Sequence, residues 1–293
     1  MEAVATERAS ASNQQLVLEV CEDYARWAPE LSGPPSPGAV LKGGHNHFLQ
    51  LIESPERQWV VRIAITGIRD TTQRKTEVTA QMLAADAGIG PKLSLSDPLR
   101  GITVMEYIDG AKDHHSTAGE LALLFTRIHA LPTQGERLSS PEALRQHRVI
   151  ASADSELARL LERGESRINN AMDCIEEASS LPPVFCHNDL LRANRISSKG
   201  RLYALDWEYA APGDPLFDLA VCASELDNQS AEELLVQYFG RPPFAEEERR
   251  FKAQSLLYAC IEACWFSAHK SNTQESTASK QRLAKLLPAG SSS

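Results

Sequence analysis

Asp189, Asn194 and Asp206 carry oxygen-bearing side chains in a pattern suited to phosphoryl transfer. The first two share one short loop in Phe185-Cys-His-Asn-Asp-Leu-Leu-Arg-Ala-Asn194. Asp206 ends the apolar run Leu202 to Leu205 and opens Asp206-Trp-Glu-Tyr209. Two short strands would return Asp206 beside the loop. Two oxygen donors on neighbouring hairpin ends suit Mg²⁺, a hard cation that prefers carboxylates, carbonyls and substrate phosphates. The remaining Asp is then free to orient and deprotonate a hydroxyl, which is the division of labour in phosphoryl transfer. Asx residues also populate turns for local reasons. A strand signal on each side, with an Asp after the second strand, favours the functional reading.

Such a loop needs elements to position it. Leu16 to Trp27 reads as a short amphipathic helix, and Pro29 to Gly38 as a loop by composition. Three strand-like runs follow, Ala39 to Leu41, His47 to Ile52 and Trp59 to Ile65, joined by Gly43-Gly-His-Asn46 and Ser54-Pro-Glu-Arg57. Backbone amides at a Gly-containing turn can approach phosphates closely, so Gly43, Gly44, His45 and Asn46 are candidate nucleotide contacts. Arg62 lies inside the third run, where an inward-pointing charge needs a partner. Helical periodicity covers Asp70 to Ala87, with Asp70 as N-cap, Gln73 three residues on, and Gly88 and Pro91 as the stop. Glu77 sits mid-helix and is the expected partner of Arg62. Lys92 to Leu95 and Ile102 to Tyr107 complete a five-stranded lobe with one helix. Met105 to Ile108 is the connector, where backbone groups at Glu106 and Ile108 could bond an adenine.

From Ala118 the chain becomes helical. Leu121 to Ile128 has apolar residues at helical spacing and ends at His129-Ala-Leu-Pro132, with His129 read as packing or a cap. Further helices are expected over Pro141 to Ile150, Glu156 to Ala178, Glu232 to Phe239 and Ala245 to His269. Pro182-Pro183 breaks the chain before the motif strand. Asp214 is the expected N-cap of a helix beginning in Gly213-Asp-Pro-Leu-Phe-Asp-Leu-Ala220. The fold class is α+β. The expected divisions are a tail and helix over 1–37, a nucleotide-binding lobe over 38–107, a helical lobe with the catalytic loop and acceptor site over 108–287, and a disordered tail over 288–293.

Composition excludes several function classes. A chain of 293 residues, 42% hydrophobic and 24% charged, has enough apolar residues for two sizeable cores. A net charge of −9 argues against nucleic acid as the main partner and suits a small cationic one. The six cysteines form no CxxC pair and read as reduced thiols in a cytoplasmic protein. No apolar run is long enough to span a membrane, and Met1 to Gln15 lacks an apolar signal core. The oligomeric state stays open.

FCHNDLLRAN, LDWEYA and GDPLFDLA resemble the aminoglycoside phosphotransferase and choline kinase superfamily. LDWEYA and IHALPTQGERL bring the chain nearest to the bacterial thiamine kinase and choline/ethanolamine kinase branch. The similarity covers about residues 38 to 270. It implies a two-lobed protein-kinase-like fold with ATP in the cleft and Mg²⁺ as metal. It also implies that Asp189 is the catalytic base, that Asn194 and Asp206 hold the metal, and that Arg62, positioned by Glu77, contacts the ATP phosphates. Asp218 and His187 would brace the catalytic loop. Leu191 stands where relatives carry a polar residue, and Ala193 where Gly is common, which bears on the choice of alcohol.

For the acceptor, Tyr209 matches a position that lines the choline pocket in relatives. Tyr258, Glu262, Trp265 and His269 share one helical face. Aromatic faces with a carboxylate suit a quaternary ammonium or thiazolium, and the same stripe also arises from helix packing. Tyr209, Glu262 and Trp265 are therefore the acceptor candidates. The expected activity is ATP-dependent phosphorylation of a small cationic alcohol, choline/ethanolamine- or thiamine-like. The alternatives are an aminoglycoside or other sugar phosphotransferase, and a non-catalytic nucleotide-binding protein on the same fold.

Overall fold

The computed structural model describes residues 2–41, 47–65, 70–113, 116–269 and 273–287. The turn residues Gly43, Gly44, His45 and Asn46 lie outside them, as does the tail over 288–293. The chain forms two compact units, Met1–Ala111 with Ile196–Glu208, and Lys112–Arg195 with Tyr209–Ser293.

The first unit opens with helix α1 (Glu2–Glu22), which begins well before Leu16. An antiparallel sheet follows: β1 (Ser36–Leu41), β2 (His47–Glu53), β3 (Gln58–Ala64), β4 (Leu93–Asp97) and β5 (Ile102–Glu106), in the order β1-β2-β3-β5-β4. β1 starts at Ser36, inside the stretch whose Pro and Gly content suggested a loop. It is an edge strand, where Pro37 costs no ladder bond that matters. Along β3, period-two alternation buries Trp59, Val61 and Ile63 against Val17, Val20 and Cys21 of α1. Trp27 meets Trp59 edge-on at 5.3 Å. Arg62 consequently projects from the opposite face. Helix α2 (Thr71–Asp86) starts at a reciprocal capping box, with Asp70 accepting from the Gln73 N–H and Gln73 from the Asp70 N–H. The two-residue strand β6 (Ala111–Lys112) follows.

The second unit contains α3 (Ala118–His129), α4 (Ser140–Ile150), α5 (Ser155–Arg163) and α6 (Glu165–Glu177). The continuous helix expected from Glu156 to Ala178 is thus two, with the break at Gly164. Gly is the weakest ordinary helix former, and a Cβ at Gly164 would run into Leu287. Strand β7 (Val184–Cys186) leads into the motif loop; the hairpin β8 (Arg195–Ser198) and β9 (Arg201–Ala204) that follows it belongs, from Ile196 on, to the first unit. Strand β10 (Ala211–Gly213) pairs antiparallel with β7. Helices α7 (Pro215–Ala223), α8 (Asn228–Phe239), α9 (Ala245–Ala268) and α10 (Thr273–Leu286) complete the unit. Asp214 caps α7 by accepting from the Leu216 N–H. The core centres on α9, whose Leu257, Cys260 and Cys264 pack with Leu144, Ile168 and Leu283. All six cysteines are buried and unbridged. Among the described residues no helix is long and apolar enough to cross a membrane.

Gly110 marks a close backbone approach in the first unit. A Cβ there would stand 2.5 Å from the Ser197 carbonyl oxygen and 2.7 Å from Ile196 Cγ2. Backbone cannot swing aside as a side chain does. Gly110→Ala is therefore expected to destabilise by about 1–3 kcal/mol, the usual cost of overpacking. Thermal melting would show this as a drop of several degrees, and an unchanged melting temperature would refute it.

Candidate active site

In the second unit the motif loop is held from below by one buried carboxylate. Asp218, fully buried on α7, accepts from the backbone N–H of His187 at 2.8 Å and of Asn188 at 2.5 Å. Its Oδ2 lies 3.1 Å from His129 Nε2, and His129 Nδ1 lies 2.8 Å from the Tyr238 hydroxyl. Asn188 takes a left-handed backbone, φ 65°, which Asn tolerates better than most residues. Its Nδ2 donates to the Tyr209 carbonyl at 2.9 Å, tying Tyr209 to the loop. The Asp189 N–H donates to His187 Nδ1 at 3.3 Å, so this nitrogen is unprotonated. His187 is fully buried and supports the loop.

The loop then closes on itself. Asn194 Nδ2 donates to the Asp189 carbonyl at 2.8 Å and to Asp189 Oδ2 at 2.9 Å. With its nitrogen turned to Asp189, the Asn194 amide keeps Oδ1 as an acceptor for something else.

In the first unit Arg62 and Glu77 form the expected ion pair, Nη1 to Oε1 at 2.5 Å. The same guanidinium reaches Asp206, Nη2 to Oδ1 at 2.7 Å, and lies 3.1 Å from His47 Nδ1. Burial opposes the Arg62 charge, but Asp206 and Glu77 outweigh it and hold the group protonated above its ordinary range. Asp206 has φ 62°, a strained backbone for a non-glycine residue. His47, Asp206 and Glu208 each place a ligand atom within 4.8 Å of the others. The oxygen donors of Asp206 and Glu208, and Oδ1 of Asn194 in the second unit, are the hard type that Mg²⁺ takes. His47 is a softer donor.

At the end of β5, the Glu106 N–H donates to the Lys92 carbonyl at 2.8 Å and the Tyr107 N–H to the Gln58 carbonyl at 3.1 Å. Those two donors are therefore committed within the unit. Ile108 follows them, half-buried.

The aromatic and acidic stripe on α9 divides. Tyr258 and Glu262 line a cavity of about 890 Å³ formed by α7 to α10, with Ser224, Ser255 and Arg282. Trp265 and Tyr209 do not line it. Glu262 is bonded through both oxygens to Arg282, at 3.0 and 2.8 Å. Burial pushes its carboxyl up, and Arg282 pulls it back. The Tyr258 hydroxyl is pushed well up by burial and then by the Glu262, Asp189 and Glu225 carboxylates. Trp265 instead stacks on His269 at 4.2 Å and meets Phe266 edge-on at 4.9 Å. Tyr209 is 38% exposed.

Several members of the arrangement escape sequence reasoning. His129 reads as a helix-end residue, and only the fold sets it on Asp218. Arg195 hides in an ordinary strand, although a charge inside Ala-Asn-Arg-Ile is a usable signal. His47 becomes a neighbour of Asp206 only through the fold, whereas Glu208 is two residues from it in the sequence.

The sequence pattern described as the phosphotransferase enzyme family matches residues 39–251. Protein LicA of Haemophilus influenzae is 34% identical over 89 residues, 28% of this chain and 32% of that protein. The chain thus spans a quarter to a third of the length of the first curated relatives it matches. Among solved structures, choline kinase LicA from Streptococcus pneumoniae superposes with a TM-score of 0.71 at 22% identity, covering 93% of this chain and 98% of that one. A choline/ethanolamine kinase family protein from Mesorhizobium loti gives 0.68 at 22% identity, covering 92% and 93%. These structures share the α+β fold with its five-stranded antiparallel sheet and mainly helical remainder. With the family pattern running through both the sheet and the motif loop, the chain belongs to the phosphotransferase enzyme family.

Proposed function

We propose that the chain transfers the γ-phosphate of ATP to the hydroxyl of a small cationic alcohol of the choline, ethanolamine or thiamine kind. The observation that carries this reading is the motif loop, which presents the Asp189 carboxylate with an Asn194 amide bonded to it. The net charge of −9 suits a cationic acceptor. The relatives named as choline or ethanolamine kinases support the same class.

In this mechanism Asp189 accepts the proton of the acceptor hydroxyl as its oxygen bonds to the γ-phosphorus. The bond from that phosphorus to the β–γ bridging oxygen breaks, and ADP leaves with the electron pair. Little covalent chemistry is left to the protein, so positioning and charge stabilisation dominate. Asp218 and His187 keep the loop in shape. Arg62, oriented by Glu77, supplies positive charge to the phosphates. Asn194 and Asp206 are the proposed Mg²⁺ ligands, and the ion when bound neutralises phosphate charge. Gly43, Gly44, His45 and Asn46 are proposed phosphate contacts, and Glu106 and Ile108 adenine contacts. Tyr209 and Glu262 are the proposed acceptor contacts.

An ADP-release screen over choline, ethanolamine, thiamine and a kanamycin-type sugar tests the reading. Release that depends on one of the first three supports it. Release with the sugar alone transfers the chain to the sugar phosphotransferases. ATP binding with no acceptor-dependent release would leave a non-catalytic nucleotide-binding protein.

Trp265 is a separate test of the acceptor pocket. Its stacking on His269 accounts for its position without a ligand. Trp265→Leu is expected to lower the melting temperature by a few degrees, since an aromatic pair contributes about 0.5–1.5 kcal/mol. The acceptor KM should stay within about twofold of wild type. A several-fold rise in that KM at unchanged melting temperature would instead put Trp265 on the acceptor, at the cation–π value of roughly 0.5–2 kcal/mol.

A further inference from the structure

We propose that Arg195 is a positioning residue that clamps the loop carrying Asp189 and Asn194. This inference rests on the reading that those two residues serve phosphoryl transfer.

Arg195 is the first residue of β8 and is 1% exposed. An arginine is almost never so deeply buried unless it is paired. Its Nε lies 2.8 Å from Oδ2 of Asp113, itself 3% exposed, and its Nη2 lies 3.7 Å from Glu225 Oε2. Asp113 is anchored in turn. Its Oδ1 accepts from the Ser116 N–H at 2.9 Å and the Ser116 hydroxyl at 2.7 Å. With the guanidinium held, Nη1 donates to the Leu190 carbonyl at 3.2 Å and touches Cys222 Sγ at 2.9 Å. Leu190 is the residue immediately after Asp189.

Glu225 fastens the other end of the loop. Its Oε2 accepts from the Arg192 N–H at 2.7 Å, and its carbonyl accepts from Arg192 Nη2 at 2.6 Å. Arg192 begins the 3₁₀ turn that ends at Asn194. One buried cation thus joins Asp113, Glu225 and a main-chain carbonyl of the loop. The Asn194 amide closes on Asp189 across both fastenings.

Stability alone is a poor reason for this arrangement. A buried ion pair is often matched or exceeded by apolar residues of similar volume. An apolar side chain could fill the site but could not direct a donor at the Leu190 carbonyl. A lysine could pair with Asp113, but it lacks the planar fork that reaches a second acceptor from a fixed position. The guanidinium therefore does what its substitutes cannot. It fixes the main chain between the proposed base and the proposed metal ligand, where small displacements are expensive for catalysis.

The test uses the full chain with Arg195→Lys and with the double variant Arg195→Met/Asp113→Asn, which removes both buried charges. Melting temperature, kcat and the ATP KM are measured, together with hydrogen exchange of the amides over 189–194. Both variants should melt near wild type. Their kcat should fall about ten- to a hundredfold with the ATP KM within about twofold, as for lost positioning. Exchange across the loop should quicken at least about tenfold. If kcat and exchange are both of wild-type size in either folded variant, Arg195 is a structural residue only and the proposal is overturned. Should the double variant fail to fold, Arg195→Lys alone decides by the same criteria. If wild type transfers phosphate to no acceptor, the functional reading fails and exchange alone judges the clamp. Quickened exchange then upholds it, and unchanged exchange overturns it.

Discussion

Asp189→Asn is expected to lower the turnover number by about 10²- to 10⁴-fold, the range typical of a lost general base. The substitution is close to isosteric, and the surrounding bonds survive it. Asn194 Nδ2 donates to Asp189 Oδ2 at 2.9 Å and to the Asp189 main-chain carbonyl at 2.8 Å. An amide oxygen at position 189 can accept the first bond, and the second does not involve the side chain. The Asp218 bonds to the His187 and Asn188 amides lie outside the change altogether. The loop should therefore keep its shape while losing the group that takes the proton. Steady-state kinetics with the acceptor found by the screen, alongside ATP binding by calorimetry, checks both halves. ATP affinity should remain within a few-fold of wild type. Turnover near wild type in a folded Asp189→Asn protein would remove Asp189 from the role of base.

That loop was legible in the sequence because its chemistry is local. Asp189 and Asn194 are five residues apart, and the apolar runs on either side declare the strands that hold them. The Asp70–Gln73 capping box and the Asp214 cap were legible for the same reason, since capping is decided within a few residues. The Arg62–Glu77 pair was legible because a charge inside an apolar strand must find a partner. Other features depend on distant chain. Arg62 also meets Asp206, which the strand pattern alone does not indicate. Helix α10 is polar over most of its length, and among its described side chains only Ser279 and Leu283 are buried, with Leu287 buried just past its end. Ion pairs from Lys280 to Asp154 and from Arg282 to Glu262 fasten it, and these are visible only after folding. Those same contacts bear on Glu262, an acceptor candidate on its helix that in the unit is bonded to Arg282. Trp265 shares a helical face with Glu262 and stacks on His269, a contact between residues four apart on one helix that helical spacing does declare.

Asp206→Ala is expected to reduce activity by two or more orders of magnitude and to abolish Mg²⁺-dependent nucleotide binding. Loss of a carboxylate metal ligand removes charge stabilisation of roughly several kcal/mol from the transition state, and each 1.36 kcal/mol is about tenfold in rate. Instability could mimic this result, and the charges around Arg62 argue that it will not. Removing one member of a buried pair is costly when it strands the other charge. Here Arg62 keeps Glu77 at 2.5 Å after Asp206 is gone, so the guanidinium remains compensated. Removing the side chain at position 206 also leaves the positive φ to be borne by alanine, a modest strain of about 1–2 kcal/mol. The unliganded variant should therefore melt only a few degrees below wild type. The distinguishing measurement is the shift in melting temperature produced by Mg²⁺ and ATP together. A ligand at about a hundred times its dissociation constant stabilises a protein by about 2.7 kcal/mol. Wild type should show that rise and Asp206→Ala should not. Asp206→Asn, which keeps one oxygen donor but loses the charge, should fall between them. If Mg²⁺ and ATP raise the melting temperature of Asp206→Ala as much as that of wild type, Asp206 does not hold the metal.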